Sequence, residues 1–392
     1  MRVLLAHSYY QQHGGEDSVV EAELALLRDH GHEVETCFEH NNCMSELSPP
    51  QAARRTIWWS QGHAAMRKMV RAFKPDVVHV HNTFQALSPA VLQAVSAEGV
   101  PLVQTLHNFR LICPQAMLLR DGKVCEDCVG KLPWRGVVRG CYRGSVAQTA
   151  VLSGMLLVHR ALGTYASEVD RFIALSEFSR RKLIEGGLPA DRIAVKPNFF
   201  DWPESPVVEG RAGGLFIGRL SQEKGIGVLL AARREHGLSD VTVIGGGEAY
   251  EHEVAQAFGA AYMGFQPLDA VVARLRQASF LVLPSICYEN FPRTIVEAYA
   301  CGVPVLASRM GAMAELVDDG VTGLLFEPGD ARDLAAKVAW AQAHPADMLA
   351  MGRRARAVYE QRYRPQVNME ALLAIYEQAR EHRRLRQGRR DG

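Results

Sequence analysis

The chain has 392 residues, with 44 Lys or Arg against 43 Asp or Glu and a net charge of +1. This length exceeds one typical hydrophobic core and suits two domains of nearly 200 residues. The balanced charge excludes a general electrostatic attraction to nucleic acid.

Targeting and membrane segments are not predicted. The N-terminal run MRVLLAHSYY lacks the longer apolar core and cleavage site of a signal peptide, so we expect a cytoplasmic protein. The most apolar later stretch, residues 146–158, is shorter than the roughly 20 residues of a membrane-spanning helix. Eight cysteines in this setting favour reduced thiols or metal ligands over a disulfide framework.

Short apolar runs alternate with helix-length segments along the chain. In the first half they are RVLLAHS, HEVETCF, DVVHVHN, PLVQTLH, RFIALS and IAVKPN. In the second half they are GLFIGRL, VTVIGG, AAYMGF, FLVLPS, PVLAS and GLLFEP. Such alternation predicts parallel, doubly wound sheets, in which ligands bind beyond the carboxyl ends of the strands.

A stretch rich in Pro and Gly divides the two halves. Residues 197–214 include Pro203 and Pro206 and show little periodicity, so we predict an interdomain linker there. The predicted domains are 1–204, with a Cys-rich insertion at about 110–145, and 205–365. A final helix over 366–392 is expected to cross back to the first domain and to end in a basic tail.

The segment PSICYENFPRTIVEAYACGVPVLAS places two glutamates at a junction between a strand and a helix. Pro292 suits the first helical turn, and Gly302 suits the position just past the last. Glu289 therefore lies in the loop and Glu297 in the helix. The N–H groups at a helix N-terminus bind anions, and carboxylates accept hydrogen bonds from sugar hydroxyls, so the pair suits a sugar diphosphate.

Two cations follow an earlier strand in GLFIGRLSQEKGIGVLL. Arg219 and Lys224 lie between that strand and the next helix, where they can stabilise the charge of a leaving diphosphate without a metal. Because the chain lacks an Asp-x-Asp pair, we expect protein cations to replace a divalent ion in catalysis.

Three glycines and one histidine also follow predicted strands. Gly246, in a glycine triplet after VTVI, permits close approach of a ligand to the backbone, although such a triplet is also an ordinary turn. Gly14 and Gly15 follow the first strand without the G-x-G-x-x-G spacing of dehydrogenases. His107 ends the strand PLVQTLH, where it can bond a sugar hydroxyl or satisfy local structure.

The segments ENFPRTIVEAYACGVPVLAS, GR-x4-KG, HSYYQQHGGEDSVV and TLHN together resemble glycosyltransferase family 4. The resemblance implies the GT-B fold, which has two facing Rossmann-like domains and a cleft between them. It implies retaining transfer, in which a diphosphate oxygen helps to deprotonate the acceptor. It also implies that Gly14 and Gly15 face the donor phosphate, that His107 orients the donor sugar and that Glu289 holds the hexose. Glu297 would bind the ribose, and the backbone of Asn290, Phe291 and Pro292 would contact the sugar.

A group of four cysteines is not explained by this resemblance. Cys113, Cys125, Cys128 and Cys141 have the spacing C-x11-C-x2-C-x12-C within a loop-like segment. Four thiolates can close a tetrahedral zinc site, whereas the alternatives are free thiols or redox pairing. Such a structural zinc would fold the insertion and take no part in catalysis.

Residues 54–73 carry apolar residues at helical spacing with Arg67, Lys68 and Arg71 interleaved. They predict one amphipathic helix, which either packs on the sheet with a solvated basic face or contacts anionic lipid. A lipid-linked acceptor would suit the second alternative.

These patterns predict a retaining enzyme that moves a hexose from a nucleoside-diphosphate sugar to a glycan, polysaccharide or lipid-linked acceptor. The first alternative is a nucleotide-sugar epimerase or hydrolase, which needs no sugar acceptor. The second is a non-catalytic scaffold that binds a sugar nucleotide or zinc.

Overall fold

The computed structural model describes residues 1–202 and 210–391. Contacts divide the chain into two compact units. Unit 1 comprises Met1–Met117, Glu126–Pro197 and Asn368–Gly392, and unit 2 comprises Leu118–Cys125 and Asn198–Val367. The predicted boundary between residues 204 and 205, with Pro203 and Pro206, lies outside the described residues. The chain returns to unit 1 at Asn368, where the sequence predicts a helix that crosses back.

The described residues form short strands, most of them buried. They are β1 (Arg2–Tyr9), β2 (Glu33–His40), β3 (Val77–Val80), β4 (Leu102–Leu106), β5 (Leu119–Arg120), β6 (Lys123–Val124), β7 (Arg171–Ala174), β8 (Ile193–Val195), β9 (Gly214–Ile217), β10 (Val241–Ile244), β11 (Phe280–Leu283), β12 (Val305–Ser308) and β13 (Gly323–Phe326).

Helices connect most of these strands. They are α1 (Gly15–Asp29), α2 (Pro49–Ile57), α3 (Ser60–Phe73), α4 (Ala90–Ala97), α5 (Trp134–Val138), α6 (Val146–Ala161), α7 (Glu177–Glu185), α8 (Ile226–Glu235), α9 (Glu251–Phe258), α10 (Leu268–Gln277), α11 (Arg293–Ala300), α12 (Gly311–Leu316), α13 (Ala331–Ala343), α14 (Pro345–Arg362) and α15 (Pro365–Asp391).

Each unit contains one parallel sheet, as predicted. The sheet of unit 1 has the strand order β2-β1-β3-β4-β7-β8, and that of unit 2 has the order β10-β9-β11-β12-β13. Neighbouring strands in both sheets run parallel. Central strands such as β3 and β11 are buried at every position, because helices cover both faces of a doubly wound sheet.

The run AAYMGF is not a strand, which corrects one prediction. Residues 259–261 form a short 3-10 turn, and Tyr262 makes an isolated bridge to Val243 of β10. Gly259 and Gly264 flank the bridge with positive φ angles of 53° and 66°. Left-handed backbone at both ends limits this segment to a single bridge.

The Cys-rich segment, which the sequence assigns to the first domain, contains an antiparallel hairpin whose contacts group it with unit 2. Its two strands, β5 and β6, pair across a turn at Asp121 and Gly122. Leu118 is fully buried, and a Cβ added to Gly122 would lie 3.4 Å from Nε2 of Gln222. The turn of the hairpin therefore lies beside Gln222 of unit 2.

The predicted amphipathic helix over residues 54–73 is two helices. α2 ends at Ile57, and α3 begins at Ser60 after extended backbone at Trp58 and Trp59. Met66 and Val70 are buried in unit 1, and no helix among the described residues combines the length and apolarity needed to cross a bilayer.

Candidate functional site

Two loops at the carboxyl edge of the unit 2 sheet are joined closely. Gly225, which follows β9, has a φ of 73°, and a Cβ there would lie 1.7 Å from the carbonyl oxygen of Pro284, which follows β11. The N–H of Ile286 also donates to the carbonyl of Glu223 at 3.0 Å. Only glycine permits this approach, so Gly225 fixes the spacing of the loops that carry the predicted cations and glutamates.

Lys224 and Glu289 form an ion pair between these loops. Nζ of Lys224 lies 2.7 Å from Oε1 of Glu289, which also accepts a hydrogen bond from the Ser285 hydroxyl at 2.8 Å. Burial opposes the charge of Glu289, but the attraction of Lys224 and these hydrogen bonds outweigh it and lower the pKa of the carboxyl. Burial likewise opposes the charge of Lys224, but Glu289 raises the pKa of the ammonium. The structure therefore brings together two predicted residues, both charged at neutral pH.

Glu297 lies in the first turns of α11, after the loop that carries Glu289. Pro292 is the N-cap residue, one position before the predicted first turn, and Gly302 follows the helix with a φ of 67°. The Glu297 carboxylate is 3.6 Å from the Arg293 guanidinium. Burial raises the pKa of Glu297 despite that arginine. A desolvated carboxyl of this kind binds a hydroxyl more strongly than one in water.

The residues between the two glutamates form a buried turn. Asn290 and Phe291 are 9 % and 8 % exposed, and the Phe291 ring packs edge-on against Tyr363 at 6.2 Å between centroids. This packing holds the backbone of residues 290–292 at the start of α11.

Arg219 is less enclosed than Lys224. Its side chain is 72 % exposed and pairs with Glu223 at 3.0 Å, although its charge helps to lower the pKa of Glu289. In the glycine triplet, the backbone constraint falls on Gly245 and Gly247 rather than on the predicted Gly246. A Cβ would lie 1.8 Å from the Gly218 carbonyl at Gly245, but no nearer than 3.9 Å to any neighbour at Gly246.

In unit 1, the predicted glycines begin α1. Gly14 is the N-cap residue in extended conformation, and its N–H donates to the Asp17 carboxylate at 2.9 Å. A Cβ on Gly14 would meet nothing nearer than 4.0 Å, so local packing does not require glycine there. Asp17 also contacts Nε2 of the fully buried His7 at 2.8 Å. Burial opposes its charge, but His7 and backbone N–H groups lower the pKa of Asp17.

His107 follows β4 directly and contacts a second histidine. Its Nε2 lies 3.0 Å from Nδ1 of His81, which follows β3. Burial and the neighbouring imidazoles hold the pKa of His107 well below its usual range, and burial lowers the pKa of His81 to about 3. Both rings are therefore neutral at physiological pH.

A buried glutamate that the sequence analysis missed lies behind these histidines. Glu23 of α1 is 1 % exposed, and its Oε1 lies 3.2 Å from Nε2 of His81 and 3.0 Å from Nδ1 of His79. Its Oε2 pairs with Nζ of Lys196 at 3.0 Å. Burial opposes the charge, but Lys196 and the histidines hold the pKa of Glu23 well below its usual range. The signal in the sequence was weak, because a glutamate in an amphipathic helix is usually solvated.

The nearby charge of Glu23 favours one tautomer of His107, although Oε1 of Glu23 and Nε2 of His81 are not aligned for a hydrogen bond. A carboxylate oxygen only accepts hydrogen bonds, so it favours the proton of His81 on Nε2. Nδ1 of His81 then accepts the Nε2–H of His107. Nδ1 of His107 is left as a hydrogen-bond acceptor, which suits a sugar hydroxyl.

The four cysteines of the proposed metal site are divided between the two units. Cys125 belongs to unit 2, and the other three belong to unit 1. Within the described residues, the group of three potential ligands whose donor atoms lie within 4.8 Å of one another is Glu23, His79 and His81, which includes no cysteine. A structural zinc on Cys113, Cys125, Cys128 and Cys141 stays a prediction.

Two Rossmann-like units with parallel sheets, each carrying polar groups at the carboxyl ends of its strands, are the architecture expected of a GT-B glycosyltransferase. Comparison with known proteins agrees. Residues 212–343 match the family described as glycosyl transferases group 1, and residues 14–198 match the glycosyl transferase 4-like domain. The chain belongs to this family and is a glycosyltransferase.

Relatives are found among both sequences and structures. An uncharacterized glycosyltransferase of Methanocaldococcus jannaschii is 35% identical over 351 residues, which cover 86% of this chain and 87% of that protein. The amylovoran biosynthesis glycosyltransferase AmsK of Erwinia amylovora is 28% identical over 53% of this chain, and the match spans 56% of AmsK. The structure of Anabaena HepE in complex with UDP-glucose is similar with a TM-score of 0.63 at 19% identity, over 96% of this chain and 99% of that one.

Proposed function

We propose that this glycosyltransferase moves a hexose from a nucleoside-diphosphate sugar to a glycan, polysaccharide or lipid-linked acceptor, with retention of configuration and without a catalytic metal. The Lys224–Glu289 pair is the observation that carries the proposal. It places a fixed cation and an ionised carboxylate 2.7 Å apart at the loop junction that precedes α11. A cation suits the diphosphate, and a carboxylate suits the hexose hydroxyls.

The chemistry needs charge stabilisation on the leaving group. Negative charge develops on the nucleoside diphosphate as the glycosidic bond breaks, and a partly buried ammonium stabilises that charge more strongly than a solvated one. Lys224 meets this requirement, Arg219 adds a second positive charge, and the N-terminus of α11 adds N–H donors. Retention would follow from attack on the same face, with a diphosphate oxygen accepting the acceptor proton.

The remaining groups of unit 2 suit recognition of the donor. Glu297 would accept the ribose hydroxyls, and the backbone of residues 290–292 would contact the sugar. Gly246, where added atoms meet no close neighbour, leaves room near the diphosphate. The structure of HepE contains UDP-glucose, which supports a uridine nucleotide as the first donor to test.

In unit 1, we assign His107 an orienting role. Its pKa is too low for a base that cycles its proton near neutral pH, but its Nδ1 can hold one sugar hydroxyl. Gly14 and Gly15 would present their backbone to the donor phosphate. Local packing does not require glycine at position 14, which is consistent with glycine there serving close approach of a ligand.

The first experiment is a melting-temperature panel with UDP, GDP, ADP and their sugars. One nucleotide class at 100 times its Kd should stabilise the protein by about 2.7 kcal/mol. Lys224→Met and Glu297→Gln should abolish that stabilisation. Arg234→Met is the control, because Arg234 forms an exposed pair with Glu253 at 2.6 Å elsewhere in unit 2.

Product analysis then separates transfer from the alternatives. We expect an anomerically retained glycoside in the presence of acceptor, with His107→Asn lowering the transfer rate far more than nucleotide affinity. An epimerised or hydrolysed sugar as the only product, or stabilisation unchanged in Lys224→Met, would contradict the proposal.

A further inference from the structure

Half of the large exposed hydrophobic side chains of the described structure lie within one short segment of unit 1. Seven of the fourteen fall between residues 132 and 162, in and around α5 and α6. We call them, together with the basic residues Lys131, Arg135, Arg139, Arg143 and Arg160, the α5–α6 surface. The apolar members are Leu132, Trp134, Val138, Val146, Leu157, Val158 and Leu162, with exposures from 37% to 69%.

These side chains face outward because small or buried residues occupy the inner side of each helix. In α5, Trp134 and Val138 are one turn apart and are 60% and 69% exposed, whereas Gly136 is buried. In α6, Leu152, Met155 and Leu156 are buried, so the core is filled without Leu157 and Val158. The chain just before α5 is tied to α6, since Arg160 of α6 donates to the Lys131 carbonyl at 3.1 Å.

The charge of this segment is entirely of one sign. Between Cys128 and Ser167 the sequence has no Asp or Glu but has Lys131, Arg135, Arg139, Arg143 and Arg160. Asp127, just outside, pairs with Arg135 at 3.7 Å and also with Arg139. Lys131 and Arg143 are exposed. The surface thus combines exposed aliphatic groups, one tryptophan and an excess of positive charge.

We propose that the α5–α6 surface docks this protein on an anionic membrane. Exposed apolar groups enter the boundary between headgroups and acyl chains, tryptophan prefers that depth, and Lys and Arg reach back to anionic headgroups. A second copy of the chain fits less well, because a two-fold interface would bring the same excess of positive charge together from both sides. The choice of sugar and acceptor does not enter this inference.

The α3 helix, which the sequence offered as a membrane contact, fits less well than the α5–α6 surface. Arg67 and Arg71 of α3 pair with Glu98 at 2.5 Å and 2.8 Å, so this one carboxylate offsets part of their charge. The open groove of about 530 Å³ on this helix, lined by Ala64, Arg67, Lys68, Arg71 and Ala72, presents no large apolar side chain.

Sedimentation of the full chain with vesicles tests the docking surface. Vesicles of phosphatidylcholine with about a third phosphatidylglycerol should bind the protein at least ten times more strongly than pure phosphatidylcholine, and salt should weaken binding. The triple variant Leu132→Gln, Trp134→Gln, Val138→Gln and the double variant Lys131→Glu, Arg143→Glu should each reduce binding at least tenfold. Because all five side chains are exposed, melting temperature and nucleotide stabilisation should be unchanged in both variants.

The matched control is Lys68→Glu with Lys74→Glu, which makes the same charge change at exposed positions of α3 and its C-cap. This variant should bind vesicles like the original protein. Absence of binding to anionic vesicles, or loss of binding in the α3 variant alone, would overturn the proposal. A vesicle-independent dimer that the triple variant converts to monomer would assign the surface to a second copy and overturn it as well.

Discussion

At the level of single residues, the buried histidines give the protein a defined response to acid. His81 has its pKa lowered to about 3 by burial, and the pKa of His107 is lowered in the same direction. In the unfolded chain each would titrate near 6.5. Below pH 6.5 the unfolded state therefore binds protons at these histidines and the native state does not, so the free energy of unfolding falls as the pH falls.

We predict a loss of about 1.4 kcal/mol per pH unit for each of these histidines between pH 6.5 and pH 5. The measurement is urea unfolding across that range, and His81→Asn should flatten the dependence. Solvent-exposed His252 provides the matched control, His252→Asn, which should keep the original slope. A slope equally steep without His81 would show that other groups cause the acid sensitivity. Glu23, whose pKa is depressed, adds a loss in the same direction below about pH 4.5.

At the level of elements, the loops that carry Lys224 and Glu289 depend on one glycine at the start of α8. Gly225 is the residue at which the β9 loop touches the β11 loop, whereas Gly227, two residues later in the same helix, has no atom within 4 Å of an added Cβ. The two positions differ in backbone as well, because Gly225 has a φ of 73° and Gly227 lies inside the helix.

Gly225→Ala should destabilise the protein by more than about 2 kcal/mol, because the methyl group meets the Pro284 carbonyl and the left-handed backbone is strained. It should also weaken nucleotide binding, since it separates Lys224 from Glu289. Gly227→Ala should be neutral or stabilise by up to about 1 kcal/mol through helix propensity. Thermal unfolding with and without nucleotide compares the two, and equal behaviour would refute the constraint at Gly225.

At the level of the whole molecule, the last helix completes unit 1 although it is the most distant segment in sequence. Leu372, Tyr376 and Ala379 of α15 are fully buried, and the Tyr376 hydroxyl contacts Nδ1 of His79 at 2.9 Å. Arg383 is also buried, and its guanidinium lies 2.7 Å from the carboxylate of Asp170, which is 0% exposed. The helix thus supplies partners both for the Glu23 cluster and for a buried aspartate.

Arg383→Met should cost about 3 kcal/mol, because it removes the closest cation from a buried carboxylate. The adjacent residue Arg384 provides the control, since its side chain is 77% exposed and pairs with Glu381 on the same helix. Arg384→Met should change stability by less than about 0.5 kcal/mol. Hydrogen exchange of the β4 and β7 amides reports the stability of unit 1 directly. Equal protection in the two variants would show that the Asp170 pair is not needed.

The features of the fold and the site that could be predicted are those set by interactions between residues close in sequence. Local periodicity and motifs predicted the parallel strands, the helix after Pro292, its end at Gly302 and the family. They could do so because burial on both faces of a sheet and backbone conformation constrain the types of neighbouring residues. AAYMGF was misassigned because a short apolar run does not reveal whether a neighbouring strand is available to pair with it. The prediction of one helix over 54–73 failed because the break at Trp58 and Trp59 carries no Gly or Pro.

The two α/β units, their alternating order and the polar residues at the ends of their strands follow from local sequence pattern. Folding decides which of those residues meet: Lys224 with Glu289 through the contact of Gly225 with Pro284, and His107 with His81, which in turn contacts Glu23. It also decides that residues 132–162 keep an apolar surface while α3 turns its apolar residues inward. The reason is physical, because propensity and pattern act between neighbours in sequence, whereas ion pairs, tautomers and exposure depend on groups brought together by folding.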